Sequence, residues 1–161
     1  MEDSVIFKGR TFKDLEVGEC FADTITVTES HVILAAGLFK DFNALHTHAE
    51  YMKGTRFKGK VVHGALTLGI MVGVYSNYFH ATDISTVEVS AKFTAPVYPG
   101  DTLTTEWKVL AKEPKRSLDG GLAVLKGSCR NQSEIVVAEM EAKLLISNQP
   151  FSDMMPKSSR G

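Results

Sequence analysis

Between Gly64 and Phe79 the sequence is apolar around nearly the whole circumference of a helix, with Leu66, Leu68, Ile70, Met71, Val72, Val74, Tyr75 and Phe79 distributed over every face. A helix that is hydrophobic on most sides has to be enclosed, either by the rest of a protein or by lipid. Lipid does not suit it: the strongly apolar part, Ala65 to Tyr75, is far shorter than the ~20 residues that cross a bilayer, and Thr67 interrupts it. The helix therefore calls for a protein layer around it, and the chain that follows is of the kind that forms one.

Four β-like runs come next, Ile84 to Phe93, Thr102 to Lys112, Gly121 to Asn131 and Glu134 to Ile146. They are separated by Tyr98-Pro-Gly-Asp101, a Pro114-Lys-Arg-Ser117 linker and Asn131-Gln-Ser-Glu134. Their alternation suits antiparallel strands with one wet face. Upstream, Thr11 to Gly18 reads as an entry loop, and Glu19 to Val27 as a first strand, β-branched in Ile25-Thr-Val27. Glu29 to Phe39 places Val32, Ile33, Ala36 and Leu38 at helical spacing behind a Thr28 or Ser30 cap. Lys40 to Lys60 is broken by polar residues and glycine, a long loop with a helical turn at Ala49 to Lys53, and long loops in compact domains are often functional. One enclosed helix followed by consecutive strands is incompatible with a parallel alternating fold, so the class is α+β, an antiparallel sheet wrapped around a central apolar helix.

A chain of 161 residues suits one core. The domain is expected over 1–148, with 149–161 a loose tail in which periodicity is lost. With 43% hydrophobic residues and a formal net charge of −1, the composition fits neither a disordered chain nor a phosphate-backbone binder, and nucleic acid is not expected as a partner. Glu2 and Asp3 with no apolar run behind them do not resemble a secretory signal, and neither a membrane nor an exported setting is expected. Cys20 and Cys129 lie in strand-like segments and read as small buried apolar groups rather than a bridge, consistent with the cytoplasm. Gly69 and Gly73 read as close packing of the helix on the sheet, and Lys112, Lys115 and Arg116 as a solvated turn rather than a phosphate site.

The chemistry is concentrated in Asp41-Phe-Asn-Ala-Leu-His46, followed by Thr47, His48 and then Arg56-Phe-Lys-Gly-Lys-Val-Val-His63-Gly64. An acid and an imidazole five residues apart on a loop can converge on one water, one taking its proton and the other supplying a proton to a substrate, as hydration of a conjugated double bond requires. Gly64 opens the apolar helix, where free backbone N–H groups and the positive helix end can bind a carbonyl oxygen that becomes negative as an enolate forms. Alone, a loop aspartate capping its own turn and a solvated histidine would be the plain reading; the combination points to chemistry. His48 forms His-x-His with His46, but no cysteine or third spaced ligand accompanies them, so no metal is expected and His48 reads as a helix-entry or surface histidine. His63 reads as a buried histidine hydrogen-bonded to the loop.

This combination resembles the MaoC-like (R)-specific enoyl-CoA hydratase family of the hot-dog fold, whose Asp-x-Asn-Pro-Leu-His signature and later His-Gly before the central helix match here. The resemblance runs roughly from Thr11 to Ile146 and includes Phe93-Thr-Ala-Pro-Val-Tyr-Pro-Gly-Asp101. It implies a single hot-dog domain that adds water across a trans-2-enoyl thioester. Asp41 and His46 would handle the protons, Gly64 would hold the thioester carbonyl, and Asn43 and His63 would lie on the substrate side. It implies no cofactor, an acyl-CoA or acyl-carrier-protein thioester as substrate, and at least a homodimer. Two departures stand out: Ala44 replaces the usual proline, and Lys40 precedes the aspartate where small or acidic residues are common. A hot-dog thioesterase commonly uses a carboxylate on the central helix, and none stands between Gly64 and His80. A non-catalytic thioester-binding module is the other alternative, and the intact Asp41 and His46 pair speaks against it.

Overall fold

The computed structural model describes residues 9–150. Its strands are β1 (Cys20–Thr26), β2 (Asp83–Phe93), β3 (Thr102–Pro114), β4 (Gly120–Arg130) and β5 (Val136–Ser147), joined in one antiparallel sheet of order β1-β3-β4-β5-β2. The helices are α1 (Glu29–Phe39), α2 (Ala44–Thr47), α3 (Ala49–Lys53) and α4 (Gly64–Tyr78). Strand β3 shows why the sheet has one dry face: Leu103, Thr105, Trp107 and Val109 are buried in alternation with exposed Thr104, Glu106 and Lys108. Strands β4 and β5 repeat the alternation, while β1 and β2, at the two edges, are exposed along most of their length.

Helix α4 lies on the dry face and turns Thr67, Met71, Val74 and Tyr75 inward. Trp107, fully buried on β3, donates its indole N–H to the Met71 carbonyl at 3.0 Å and meets the Tyr75 ring edge-on, with centroids 5.2 Å apart. A buried indole pairs its N–H when it can, and here the partner is the helix backbone itself. Gly127 stands directly opposite Trp107 on β4, and a Cβ there would sit 2.8 Å from the indole ring, so only glycine leaves room for it.

The enclosure of α4 is one-sided. Leu66, Leu68, Ile70 and Val72 are only partly buried, and nothing lies within 4 Å of where a Cβ would stand on Gly69 or Gly73. The two glycines therefore do not pack on the sheet as their spacing suggests, because spacing sets a shared face but not which neighbour that face meets. Helix α1 has the expected limits but a different buried face: Val32, Ala35 and Ala36 are inside, while Ile33 is 64% and Leu38 79% exposed. Cys129 is buried, and burial pushes its thiol up, whereas Cys20 is exposed at the start of the edge strand β1, contrary to the sequence expectation.

The entry loop is tied to the far end of α4. Gly9 and Arg10 donate their backbone N–H groups to His80 and Tyr78, at 2.9 and 3.0 Å. The Glu19 carboxylate accepts from Arg10 Nε at 2.8 Å, from the Tyr78 hydroxyl and from the Glu16 N–H at 2.9 Å. Burial opposes that charge, but these hydrogen bonds more than offset it and hold Glu19 below the usual carboxylate range. Lys112 donates to the carbonyls of Phe12 and Leu15 at 2.9 and 2.7 Å, so it is a structural cation rather than part of a solvated turn. No helix among the described residues is long and apolar enough to cross a membrane. Of the expected tail, residues 151–161 lie outside the described residues.

The Trp107–Gly127 fit predicts that Gly127→Ala, by forcing the indole off its site, costs roughly 1–3 kcal/mol, as overpacking does. The expected readout is a melting temperature lower by several degrees together with altered tryptophan fluorescence; an unchanged melt would show that the pocket for Trp107 is looser than described.

Candidate active site

Helix α1 ends where Lys40 turns left-handed, at φ 57, and the backbone N–H groups of Lys40 and Asp41 both point back to the Ala36 carbonyl. Two successive side-chain turns follow. Asp41 Oδ1 accepts from the Asn43 N–H at 3.2 Å, and Asn43 Oδ1 accepts from the Leu45 N–H at 3.0 Å, capping α2. Asp41 thus has one oxygen anchored by the loop and Oδ2 left over. Ala44, in the position of the family proline, is the first helical residue; its N–H needs no intrahelical acceptor, so the substitution leaves the turn intact.

The one-turn helix α2, absent from the sequence reading, brings His46 round to face Asp41. His46 Nδ1 lies 2.7 Å from the Val61 carbonyl, which can only accept; Nδ1 therefore carries a proton, and in the neutral ring the lone pair is on Nε2. That Nε2 is 3.6 Å from Asp41 Oδ2, too long for a direct hydrogen bond. The pair is asymmetric in burial: the Asp41 side chain is 48% exposed and that of His46 10%. Val61 is held in turn by its N–H to the Leu45 carbonyl at 2.9 Å, and Val62 by its N–H to the Val97 carbonyl at 2.8 Å. Lys40 forms no ion pair with Asp41.

His63 closes the arrangement from below. Its Nε2 lies 3.0 Å from the Asp41 carbonyl, which fixes that nitrogen as the donor, and its ring stacks on His46 with centroids 3.7 Å apart and 26° between planes. Phe39 meets the His63 ring edge-on, at 6.0 Å between centroids. His63 is 1% exposed and its Nδ1 is buried without a hydrogen-bond partner. The buried, loop-bonded histidine read from the sequence is thus present, directly against the pair. Asn43 caps α2 with its side-chain oxygen.

Ligand atoms of Asp41, His46 and His63 lie within 4.8 Å of one another. Imidazole lone pairs lie in the ring plane, however, and two stacked rings direct them almost in parallel rather than toward one ion about 2.0–2.1 Å from each nitrogen. The cluster is built for stacking, not for coordination. His48 stands apart as the cap of α3, its Nδ1 accepting from the Tyr51 N–H at 3.1 Å.

Gly64 is the first residue of α4, and its N–H has no intrahelical acceptor. A Cβ at this position would meet the Phe93 ring at 3.3 Å, so glycine keeps a passage open between the helix start and β2. Beside it lies a cavity of about 370 Å³ lined by Phe57, Val61, Val62, Gly64, Thr67, Phe93 to Val97 and Val137. Neither Asp41 nor His46 lines it; Val61 is the link, with its side chain toward the cavity and its carbonyl on His46. The sequence reading missed Val61, Phe57 and Val137. Val61 acts through a backbone carbonyl, which no side-chain pattern reveals.

The profile of the family described as MaoC like domain matches residues 17–125. The chain belongs to the MaoC-like domain family. This MaoC-like chain is 30% identical over 135 residues to the (R)-specific enoyl-CoA hydratase of Rhodospirillum rubrum, covering 84% of the chain and 90% of that relative. It is 34% identical over 137 residues to the uncharacterized protein YdeM of Bacillus subtilis, covering 83% of the chain and 96% of that protein. Among solved structures, the unliganded R-hydratase PhaJ1 of Pseudomonas aeruginosa superposes with a TM-score of 0.78 at 27% identity, with 86% of each chain covered. A Mycobacterium tuberculosis protein described as a double hot-dog fold superposes with a TM-score of 0.77 at 19% identity, over 95% of this chain but 48% of its own, which shows the fold alone. The MaoC-like chain is accordingly a single α+β hot-dog domain in a family with enoyl-CoA hydratases among its members.

Proposed function

We propose that this MaoC-like protein is an (R)-specific enoyl-thioester hydratase, and in reverse a 3-hydroxyacyl-thioester dehydratase, with Asp41 and His46 as the proton-transfer pair. The observation that carries the proposal is the 3.6 Å separation of Asp41 Oδ2 from His46 Nε2, two groups each with its other polar atom anchored and both able to reach one water. That water adds its oxygen to C3 of the enoyl group. The pair takes up one proton from the water and delivers one to C2, so the enzyme ends the turnover with the protons it began with. The electrons displaced from the double bond pass through the enolate, whose oxygen the free Gly64 N–H at the positive end of α4 stabilises. His63 positions both members, holding the Asp41 backbone and backing the His46 ring. The relatives named as hydratases support the reaction class.

The working unit we infer is a homodimer built on the 1–148 domain and acting in the cytoplasm. Its support is the uncovered flank of the sheet: edge strand β2 leaves Val87 56%, Val89 36% and Phe93 54% exposed, a combination of free backbone and apolar surface that a second copy would cover.

The primary test is crotonyl-CoA. Loss of the conjugated-enoyl absorbance without release of free thiol, giving the (R)-3-hydroxy product, is the expected result. Thiol release would indicate a thioesterase, a predominantly (S) product a different stereochemical course, and no reaction a binding module.

Asp41→Asn and His46→Asn should each lower kcat by roughly 10²–10⁴-fold, and the double variant should be little worse than either, because the two act as a unit. Their stabilities should differ. Asp41 is exposed, so its variant should melt like the wild type, whereas His46→Asn leaves the buried Val61 carbonyl without its donor and should cost about 1–3 kcal/mol. Near-normal turnover in either single variant would sink the assignment.

Gly64→Pro tests the carbonyl donor. His63 already has φ −58 and ψ 134, the extended conformation that a following proline demands, so the ring can enter without bending the chain. Proline should lower the rate constant by roughly 10²–10³-fold, the scale of one oxyanion donor, and Gly64→Ala much less, since alanine keeps the N–H. A folded Gly64→Pro enzyme that matches Gly64→Ala would place the carbonyl elsewhere.

A further inference from the structure

Histidine rings meet the backbone in two ways. His46 Nδ1 and His63 Nε2 donate to the carbonyls of Val61 and Asp41, and a ring that gains a proton keeps such a bond. His31 and His48 accept instead: His31 Nδ1 takes the Thr28 N–H at 3.1 Å, and His48 Nδ1 takes the Tyr51 N–H at 3.1 Å. A backbone N–H can only donate, so each of these two rings is neutral, with its lone pair on Nδ1 and its proton on Nε2. Once protonated, such a ring carries an N–H at both positions and has no lone pair left to offer.

Both accepting rings cap helices that bracket the active-site loop. His31 lies in the first turn of α1 and reaches back to the cap residue Thr28. His48 caps α3 and also ends α2, the turn that carries His46, with its own N–H on the Ala44 carbonyl at 3.0 Å. The Asp41–His46 segment is therefore suspended between two helices whose starts depend on neutral imidazoles. Serine, threonine, asparagine and aspartate, the usual residues in this role, go on accepting at mildly acid pH, whereas histidine changes charge there. The neighbouring charges offer an imidazolium no partner. Glu29 and Glu50, the first-turn acids, are taken by Lys60 from the segment before α4 and by Lys53, and the Tyr51 ring meets the His48 ring edge-on at 6.0 Å. Neither His31 nor His48 lies in an ion pair among the described residues, and a cation at either place would face the positive end of a helix. His48 is exposed and His31 half-buried, so protons reach both.

We infer that His31 and His48 form an acid-sensitive clamp on the active-site loop. Neutral, they cap α1 and α3 and hold the segment that carries Asp41 and His46; protonated, they release both caps, and the loop loosens while the sheet and α4 stay folded. The stabilisation is complete above about pH 6.5, where histidine in an unfolded chain is neutral, and is lost as the pH falls below that value, because the unfolded chain then binds protons that the capped rings exclude. The consequence for activity rests on the proposed function: acid slows hydration by loosening the geometry of the Asp41 and His46 pair, over and above any titration of the pair itself.

The test compares the wild type with H31Q/H48N, whose amide oxygens accept without titrating, and with H31A/H48A, which has no acceptor at either place. Melting temperature and crotonyl-CoA hydration are measured from about pH 8 to about pH 5.5, a range that spans the ordinary histidine titration. At the upper end H31Q/H48N should match the wild type in both readouts, and H31A/H48A should melt about 4 °C or more lower. At the lower end the wild type should fall toward H31A/H48A, while H31Q/H48N stays about 4 °C or more above it. The hydration rate of H31Q/H48N relative to the wild type, a ratio in which titration of Asp41 and His46 cancels, should rise from about 1 to at least about 3 as the pH falls. Parallel melting profiles for the wild type and H31Q/H48N, or an H31A/H48A protein as stable as the wild type at the upper end, would overturn the clamp. A constant rate ratio beside diverging melts would overturn its hold on the active site. A protein whose melts diverge as described yet which hydrates crotonyl-CoA at no pH would sink the hydratase proposal and leave the acid-sensitive caps standing.

Discussion

The position of α4 on the sheet is what the rest of the molecule depends on, and one hydrogen bond does much to set it. The Met71 carbonyl, already within a helix, takes a further hydrogen bond from the Trp107 indole, and Trp107 has its place only because Gly127, its partner across the strands on β4, carries no side chain. A helix fastened at its middle to a rigid sheet has both ends fixed. One end receives the entry loop through Tyr78 and His80; the other presents Gly64 beside the active-site loop.

At that second end the loop is held by backbone atoms more than by side chains. The carbonyls of Asp41, Leu45, Val61 and Val97 all accept hydrogen bonds that cross between segments, and the two histidines spend one nitrogen each on such carbonyls. Spending Nδ1 of His46 in this way selects the tautomer that leaves Nε2 free toward Asp41. Spending Nε2 of His63 fixes the Asp41 backbone. The two rings then stack, which supports the geometry of the proposed proton-transfer pair and at the same time turns their lone pairs away from any shared metal.

The surfaces left open follow from the same plan. Strand β2 is exposed along most of its length, and Leu68 and Val72 on α4 are only partly covered. An apolar circumference in the sequence therefore records two environments: the sheet on one side, and on the other a flank that the chain alone does not cover.

The α+β class, the limits of α1 and α4, the four strands after α4 and the residues of the acid–imidazole pair were all legible in the sequence, since periodicity, β-branching and turn residues are local properties written along the chain. The family signature was legible for the same reason, being a contiguous set of residue types. What only the tertiary structure decided is which faces meet: that Gly69 and Gly73 make no close contact with the sheet, that Ile33 and Leu38 lie outside, that Cys20 is exposed, and that Lys112 braces the entry loop. The cavity wall and the role of the Val61 carbonyl belong to the same group. Each depends on contacts between segments far apart in sequence, and a period of 3.6 or 2 residues states that a face exists without naming what will cover it.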